Sequence, residues 1–493
     1  MSHTGCPQDI IMSSGFGWIP GRGSGPGLQA VAERIRETLD QGLDRSLKLA
    51  VTGLRSSGKT AFITSLVNQL QHCGDDGKQP LFSSHIVGTR QVEQGNPRVR
   101  PFPYREGLRS LSGSAPEWPE STRGMSELRL AIRYRPRHWL QRKLNDFRTL
   151  NLDIVDYPGE WLLDLPLLET SFYEWSRHSA ELLSRSPRRE LAAPWKTAVG
   201  YQDPFAPVDG DTLDRLSRMY ADFLYQCKED RTGLSIIQPG RFVLPGELEG
   251  TPVLSFFPFI SVDDYGEEQL RSAPRDSLYR KLSERFEYYK EHVVKVFYGD
   301  YFSRFDRQIV LVDCLKTLNR GSESFRDTEE ALGLLLSNFS YGRSGFLKRI
   351  FKPSIDRVLF AATKADHVTP NQLHNLELFL DRLVLESKRK IQFEGIETRC
   401  MALASVRATE PVNAMFQGRQ ISCIRGRKKG THESVALFPG EVPTSLPSLD
   451  SWGEERFNFI DFSPPQLGDV VQHPLPHINM DEAFQFLVED VFA

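Results

Sequence analysis

Short apolar runs alternate with amphipathic stretches along most of this chain. Leu47-Lys48-Leu49-Ala50-Val51 is an apolar run, the pattern of a buried strand. Phe62, Ile63, Leu66, Val67 and Leu70 follow at helical spacing and share one face. Glu127 to Tyr134 alternates in a two-residue rhythm and Leu150 to Asp156 is a second run, so the pair reads as a hairpin at a sheet edge. Gln308 to Asp313, Arg357 to Ala362 and Thr398 to Leu403 are further strand patterns, with helical patterns near 328–339 and 370–390 between them. Strands that take turns with helices imply an α/β fold, a three-layer sandwich around a mostly parallel sheet.

The rhythm breaks in four places. Residues 1–27 are rich in Gly, Ser and Pro and read as a flexible N-terminal segment. Leu28, Val31, Ile35 and Leu39 then mark an amphipathic helix. Residues 74–121 are polar and Pro-rich without a clear period. Residues 160–305 carry aromatic-rich helical stretches near 168–185, 211–228 and 276–298, after which the sheet pattern resumes. That order reads as a large helical insertion in one core. A small β-rich insertion is expected over 418–470, with strand-like pieces at Gln420–Ile424, Ser434–Phe438 and Phe457–Asp461. The expected organisation is therefore 28–159 and 306–417 as the two parts of the core, 160–305 and 418–470 as insertions, and 471–493 as a closing helix. Asn479 and Glu482 stand at capping-box spacing before that helix.

Composition narrows the classes. The chain has 493 residues, 39% hydrophobic and 25% charged, with a net charge of −3 that gives no global pull toward nucleic acid. Its six cysteines show no CxxC spacing, which argues for a reduced cytoplasmic setting and against a zinc site. No apolar run approaches the ~20 residues of a membrane span, and no charged-then-apolar leader stands at the N-terminus.

The chemistry lies in the loops after the strands. Gly53-Leu54-Arg55-Ser56-Ser57-Gly58-Lys59-Thr60 is G-x-x-x-x-G-K-[ST] between a strand and a helix, the pattern of a phosphate-binding loop. Glycines let the backbone wrap closely, and its N–H groups meet phosphate at the positive end of the helix that begins near Thr60-Ala61. Lys59 reaches the outer phosphates and the Thr60 hydroxyl is a magnesium ligand. The rival reading is a Gly/Ser turn that carries a lysine. Asp156-Tyr157-Pro158-Gly159 ends another strand. A carboxylate there can hold magnesium through water, and the Gly159 N–H can meet a γ-phosphate. Asp313 also ends a strand but lacks the following glycine, and reads as a strand-terminal residue. Thr363-Lys364-Ala365-Asp366 follows a third strand. A carboxylate at Asp366 can accept from both the ring and exocyclic N–H groups of guanine, which adenine cannot match. Ser405-Val406-Arg407 follows the next strand, where a backbone N–H can meet the guanine carbonyl. Thr122 is the expected switch threonine and third magnesium ligand, with Thr89 as alternative; a turn or helix cap is the plainer reading of Thr122.

In this order the motifs resemble the P-loop GTPase superfamily. The stretches around 47–60, 156–168 and 359–368 look more narrowly like the YcjX family of stress-associated bacterial NTPases, over most of the chain. That resemblance implies a P-loop NTPase fold, guanine nucleotide and Mg2+ as ligands, a cytoplasmic setting and a link to envelope stress. Two departures from small GTPases stand out. The stretch between Lys59 and Asp156 is long, and a helical insertion follows the second switch directly. Glu160 stands where Ras-like enzymes place a water-orienting Gln. A carboxylate can act as a base but also repels phosphate, so hydrolysis is expected to be slow. Arg55, inside the loop, and Arg123 are candidates for a cation supplied in cis, although a solvent-facing loop residue is the plainer reading of Arg55. The expected function is a slow, Mg2+-dependent GTPase acting as a conformational switch. The alternatives are an ATPase, or a nucleotide-gated module for a protein partner or the inner-membrane surface. Gly345 to Lys352 mixes basic and apolar residues as lipid contact would need, or as an ordinary helix–strand connection would.

Overall fold

The computed structural model describes residues 45–54, 56–73, 85–120, 124–137, 146–229, 231–337, 355–431, 433–452, 457–467 and 473–492. The expected N-terminal segment and its helix, Arg55, Thr122, Arg123 and the basic stretch 345–352 lie outside them.

Strand β1 (Arg45–Gly53) runs parallel to β5 (Arg148–Asp156) on one side and β6 (Arg307–Val312) on the other, and β7 (Arg357–Ala362) and β8 (Glu397–Ala402) continue the parallel set. β4 (Ser126–Tyr134) pairs antiparallel with β5, with Ser126 opposite Asp156. Beyond it lies β2 (Ile86–Val92), and the two-residue β3 (Arg100–Pro101) also pairs with β4. The sheet order is β2-β4-β5-β1-β6-β7-β8. The 127–134/150–156 hairpin exists but is not the edge, because β2 covers it. β2 escaped the pattern analysis because most of its residues are only half buried or exposed, so no apolar alternation marks it. Helix α1 (Lys59–Gln71) leaves β1, and α2 (Tyr104–Ser112) is a second element in the stretch that showed no period.

Successive strand residues face opposite sides of a sheet, and here both sides are covered. Leu49, Val51, Ile309, Leu311, Leu359 and Ala361 pack with α1 and the C-terminal helix. Ala50, Val155, Val310, Val312, Val358 and Phe360 pack on the opposite side. Burial on both faces explains why these strands read as unbroken apolar runs.

The second face is covered largely by residues 159–305. A 3-10 stretch (Gly159–Glu169) leads into α3 (Phe172–Leu182), α4 (Gly210–Lys228) and α5 (Leu278–Tyr289). Ser171 and Glu174 close a capping box at α3, and Asp209 caps α4. Trp175 stacks on Phe286 with centroids 4.9 Å apart, within a continuous aromatic core that reaches the sheet residues Ala50 and Val155. Helices α6 (Ser322–Ser337), α7 (Leu373–Leu383) and α8 (Leu385–Phe393) complete this layer.

A separate three-stranded antiparallel sheet, β11-β10-β9, is made of β9 (Thr409–Phe416), β10 (Arg419–Arg427) and β11 (Ser434–Leu437). Its third strand is 409–416, not 457–461. The latter stretch makes no ladder, and only the neighbouring Phe462 forms an isolated bridge, to Lys428. The chain ends in α9 (Met480–Val488) without the expected capping box. Asn479 has φ 58°, and its amide donates to the Ala402 carbonyl at 2.9 Å, so it ties the helix to β8 instead. Among the described residues no helix is long and apolar enough to cross a membrane.

Candidate functional site

The loop between β1 and α1 turns tightly at the end of a buried strand. Gly58 has φ 84°, a left-handed conformation that a side chain would strain. Its neighbour Lys59 donates Nζ to the Gly53 carbonyl at 3.2 Å. The Ser57 hydroxyl is buried with no hydrogen-bond partner among the described residues. A buried donor without a partner is costly, and one in a loop whose backbone suits an anion fits a phosphate. Gly159 packs directly on this loop, because a β-carbon added there would stand 2.6 Å from the Gly53 carbonyl oxygen. The glycine after Asp156 is thus required by close approach as well as by its position in the motif.

Two donors suit magnesium. Thr60 Oγ1 is near enough to the 116–120 segment to donate to the Glu120 carbonyl at 3.1 Å. Asp156 is fully buried at the end of β5. One hydroxyl and one carboxylate are what an ion needs that completes its shell with phosphate oxygens and water.

The Thr363–Asp366 motif converges on the same place. A cavity of about 550 Å³ is lined by Ser56 to Ala61, Thr363, Lys364, Asp366, His367 and Ala404 to Val406. Asp366 is buried, and its Oδ2 accepts from the Ala408 N–H at 2.7 Å, which fixes the carboxylate plane. The Thr409 hydroxyl closes on the Asp366 carbonyl. Thr363 Oγ1 donates to the Val312 carbonyl. Lys364 sits at φ 60°, and its ammonium contacts Asp313 Oδ2 and Asp461 Oδ1, each at 2.7 Å. Asp313 also caps the short helix Cys314–Asn319 through the Lys316 N–H. His367 is buried, and burial lowers the pKa of its imidazole.

Not every expected residue is among those lining this cavity: Gly53, Leu54, Asp156, Gly159 and Glu160 are not. Arg407 does not line it either: its N–H is taken by the Pro476 carbonyl at 2.7 Å and its Nε by the Thr409 carbonyl at 3.1 Å, so only Ser405 and Val406 of that motif remain for a base. Thr89 lies within β2 opposite Ile132 and is also absent from the lining.

Other lining residues carried no signal in the sequence. Pro116 to Glu120 enter from the segment after α2, with the Trp118 indole donating to the Phe462 carbonyl at 2.8 Å. Asp461 to Pro464, Lys429 and Gly430 come from the small sheet and the strap that follows it. On the phosphate side Glu160 is buried and ion-paired with Lys228, at the end of α4, at 2.8 Å. Burial opposes charge on Glu160, but Lys228 and Lys59 outweigh it and hold the carboxyl below its ordinary range. Lys228 lines a second, larger cavity that shares Thr60, Pro119 and Glu120 with the first.

A mostly parallel sheet of this order with a phosphate loop after its central strand defines an α/β protein of the P-loop NTPase class. The comparisons agree. A model of the YcjX-like family, DUF463, matches residues 47–492. The chain is 44% identical over 467 residues to the Ras-like GTPase YcjX of Escherichia coli (strain K12), covering 94% of this chain and 99% of that one. It is 39% identical over 477 residues to the Ras-like GTPase YcjX of Shewanella oneidensis, covering 94% and 98%. The chain belongs to the YcjX-like family.

Proposed function

We propose that this chain binds guanine nucleotide with Mg2+ and hydrolyses GTP slowly, with the nucleotide state read by the segment at 157–169 and passed into the helices that follow. The observation that carries this reading is the single cavity flanked by the phosphate loop at one end and the buried, oriented Asp366 at the other. Relatives named Ras-like GTPase support it.

Lys59, now on the Gly53 carbonyl, turns to the outer phosphates when they enter. Thr60 and Asp156 would hold magnesium, with Thr122 the third ligand expected from the sequence, and the ion would supply charge neutralisation at the phosphates. The Gly159 N–H meets the γ-phosphate, and Ser405 and Val406 face the base. Glu160, kept ionised by Lys228, is a weak base and a repulsive neighbour for phosphate, which favours slow turnover. Arg55 supplies a cation in cis from within the loop. A cytoplasmic setting, a role in stress response and a partner surface belong to the same proposal.

Calorimetry with GTP, GDP and ATP on the wild type and on Asp366→Asn tests it. Guanine nucleotides should bind the wild type far more tightly than ATP, and the variant should lose that selectivity. A wild type that prefers ATP refutes the guanine reading and favours an ATPase.

A further inference from the structure

We infer that Asp461, from the strap after the small β-sheet, is a positioning residue for nucleotide binding: with Asp313 it clamps the Lys364 ammonium so that the lysine stem is fixed as one wall of the base site. The inference rests on the guanine reading above. Four observations carry it. Lys364 is held at φ 60°, a conformation unfavourable for a non-glycine residue that persists only where its surroundings over-determine it. Its ammonium sits between two carboxylates at 2.7 Å each. A lysine is a point charge on a flexible stem, and only contacts on both sides hold it in one place. Asp313 comes from the end of a core strand, whereas Asp461 comes from outside the sheet, so the clamp closes only when the strap is seated. Finally, the strap lines the cavity directly. The Phe462 ring meets His367 edge-on with centroids 5.1 Å apart, and Asp461 to Pro464 form part of the wall.

The strap itself does not depend on the Asp461 side chain. The Lys429 N–H donates to the Asp461 carbonyl at 2.9 Å, the Ser463 N–H to the Arg427 carbonyl at 2.7 Å, and the Trp118 indole to the Phe462 carbonyl. Asp461→Ala therefore removes one jaw of the clamp and leaves the wall in place. The lost charge-assisted contact predicts a fall in affinity of about tenfold, expressed as faster nucleotide release.

The test measures binding and release of fluorescent GDP and IDP. IDP lacks the exocyclic amino group that Asp366 is expected to read. In Asp461→Ala both nucleotides should weaken by the same factor, and the GDP/IDP ratio should stay at the wild-type value. Because Asp461 acts through Lys364, combining it with Lys364→Met should cost no more than Lys364→Met alone. If the alanine variant does not fold, Asp461→Asn, which keeps the shape and removes the charge, is measured in its place. Unchanged release, additive losses in the double variant, or a shifted GDP/IDP ratio each overturn the inference. A wild type that fails to bind GDP instead refutes the guanine reading on which it rests.

Discussion

Replacing Lys228 by methionine keeps most of the apolar stem and removes the charge that faces Glu160. The pair is well enclosed, with side-chain exposures of 14% and 6% and a separation of 2.8 Å. Breaking a buried pair by removing one partner typically costs about 3–5 kcal/mol, since the other charge is left in a poor dielectric. Lys59 still acts on Glu160, so a loss of about 2–3 kcal/mol is expected here. For a cooperative unit of this size, with an unfolding entropy of about 2.1 cal/mol/K per residue, that is a drop of about 3 °C in melting temperature. Calorimetry without nucleotide reads it, because bound ligand would add its own stabilisation.

The pH dependence is what separates this mechanism from a general packing defect. In the wild type the Glu160 carboxyl lies below its ordinary range, so its contribution is fully present above the unfolded value of about 4.3 and is lost as pH falls through the depressed native value. In the variant, burial is opposed only by Lys59 and a backbone hydrogen bond at Glu160, and the native value rises. Glu160 then takes up a proton as the medium becomes acidic and the penalty shrinks. The gap between wild type and variant should be largest at pH 8 and clearly smaller at pH 5. Adding Glu160→Gln should recover most of the loss. Equal gaps at both pH values, or a double variant no more stable than the single one, would show that the ion pair is not what Lys228 contributes.

Gly159→Ala should weaken guanine-nucleotide binding by at least about tenfold while leaving the melting temperature within a few degrees, because the new methyl group displaces the Gly53 carbonyl and with it the loop; equilibrium titration with GDP decides. The lowered pKa of His367 gives a second pH effect. Burial keeps its imidazole neutral, with Asp366, Asp461 and Asp313 pulling the other way and Lys364 reinforcing burial. Below the unfolded value of about 6.5 the unfolded chain binds the extra proton first, so stability should decline as pH falls from 7 toward 5. His367→Gln should flatten that decline in a melting series, and an unaltered slope would remove His367 as its source.

The legible parts of this chain are those in which a whole element or motif is contiguous. The phosphate loop joins a strand buried on both faces to a helix with a single apolar stripe, and both neighbours announce themselves. The same holds for Lys364 and Asp366 after β7, whose last five residues are all buried. Strand β9 was hidden because its residues are mostly exposed and it contains Pro411 and Glu410, so neither alternation nor composition marks it. The Asn479 cap failed for another reason: the side chain found a tertiary acceptor in Ala402, which a local motif cannot anticipate. Lys228, Trp118 and Asp461 reach the site from distant segments, and a lone lysine at a helix end or an aspartate in a loop looks like an ordinary solvated residue until the fold places it.

The packing also limits how a nucleotide signal could travel. Trp161, Phe297 and Phe305 share one core with Ala50, Val155 and Tyr157, and Tyr157 stacks on Phe305 with centroids 5.5 Å apart. Helices sealed to the sheet in this way cannot swing as a rigid body without exposing that core, at about 25 cal/mol for each Å² uncovered. The freedom lies in the 3-10 stretch Gly159–Glu169, whose bonds are less favourable than those of an α-helix. Its start is tied to α4 by Glu160 and Lys228. Gly240 packs so closely behind it that a β-carbon there would collide with the Glu160 carbonyl. Asp164, raised by burial to about 7, accepts from Tyr289 at 2.6 Å and from the Gly240 N–H. A shift at Gly159 must therefore move Lys228 and the 238–247 loop first. Hydrogen exchange in the GTP-analogue and GDP states should change there, and in the last turn of α4, before it changes anywhere in α3 or α5. Protection that changes uniformly across 172–300, or not at all, would exclude this route.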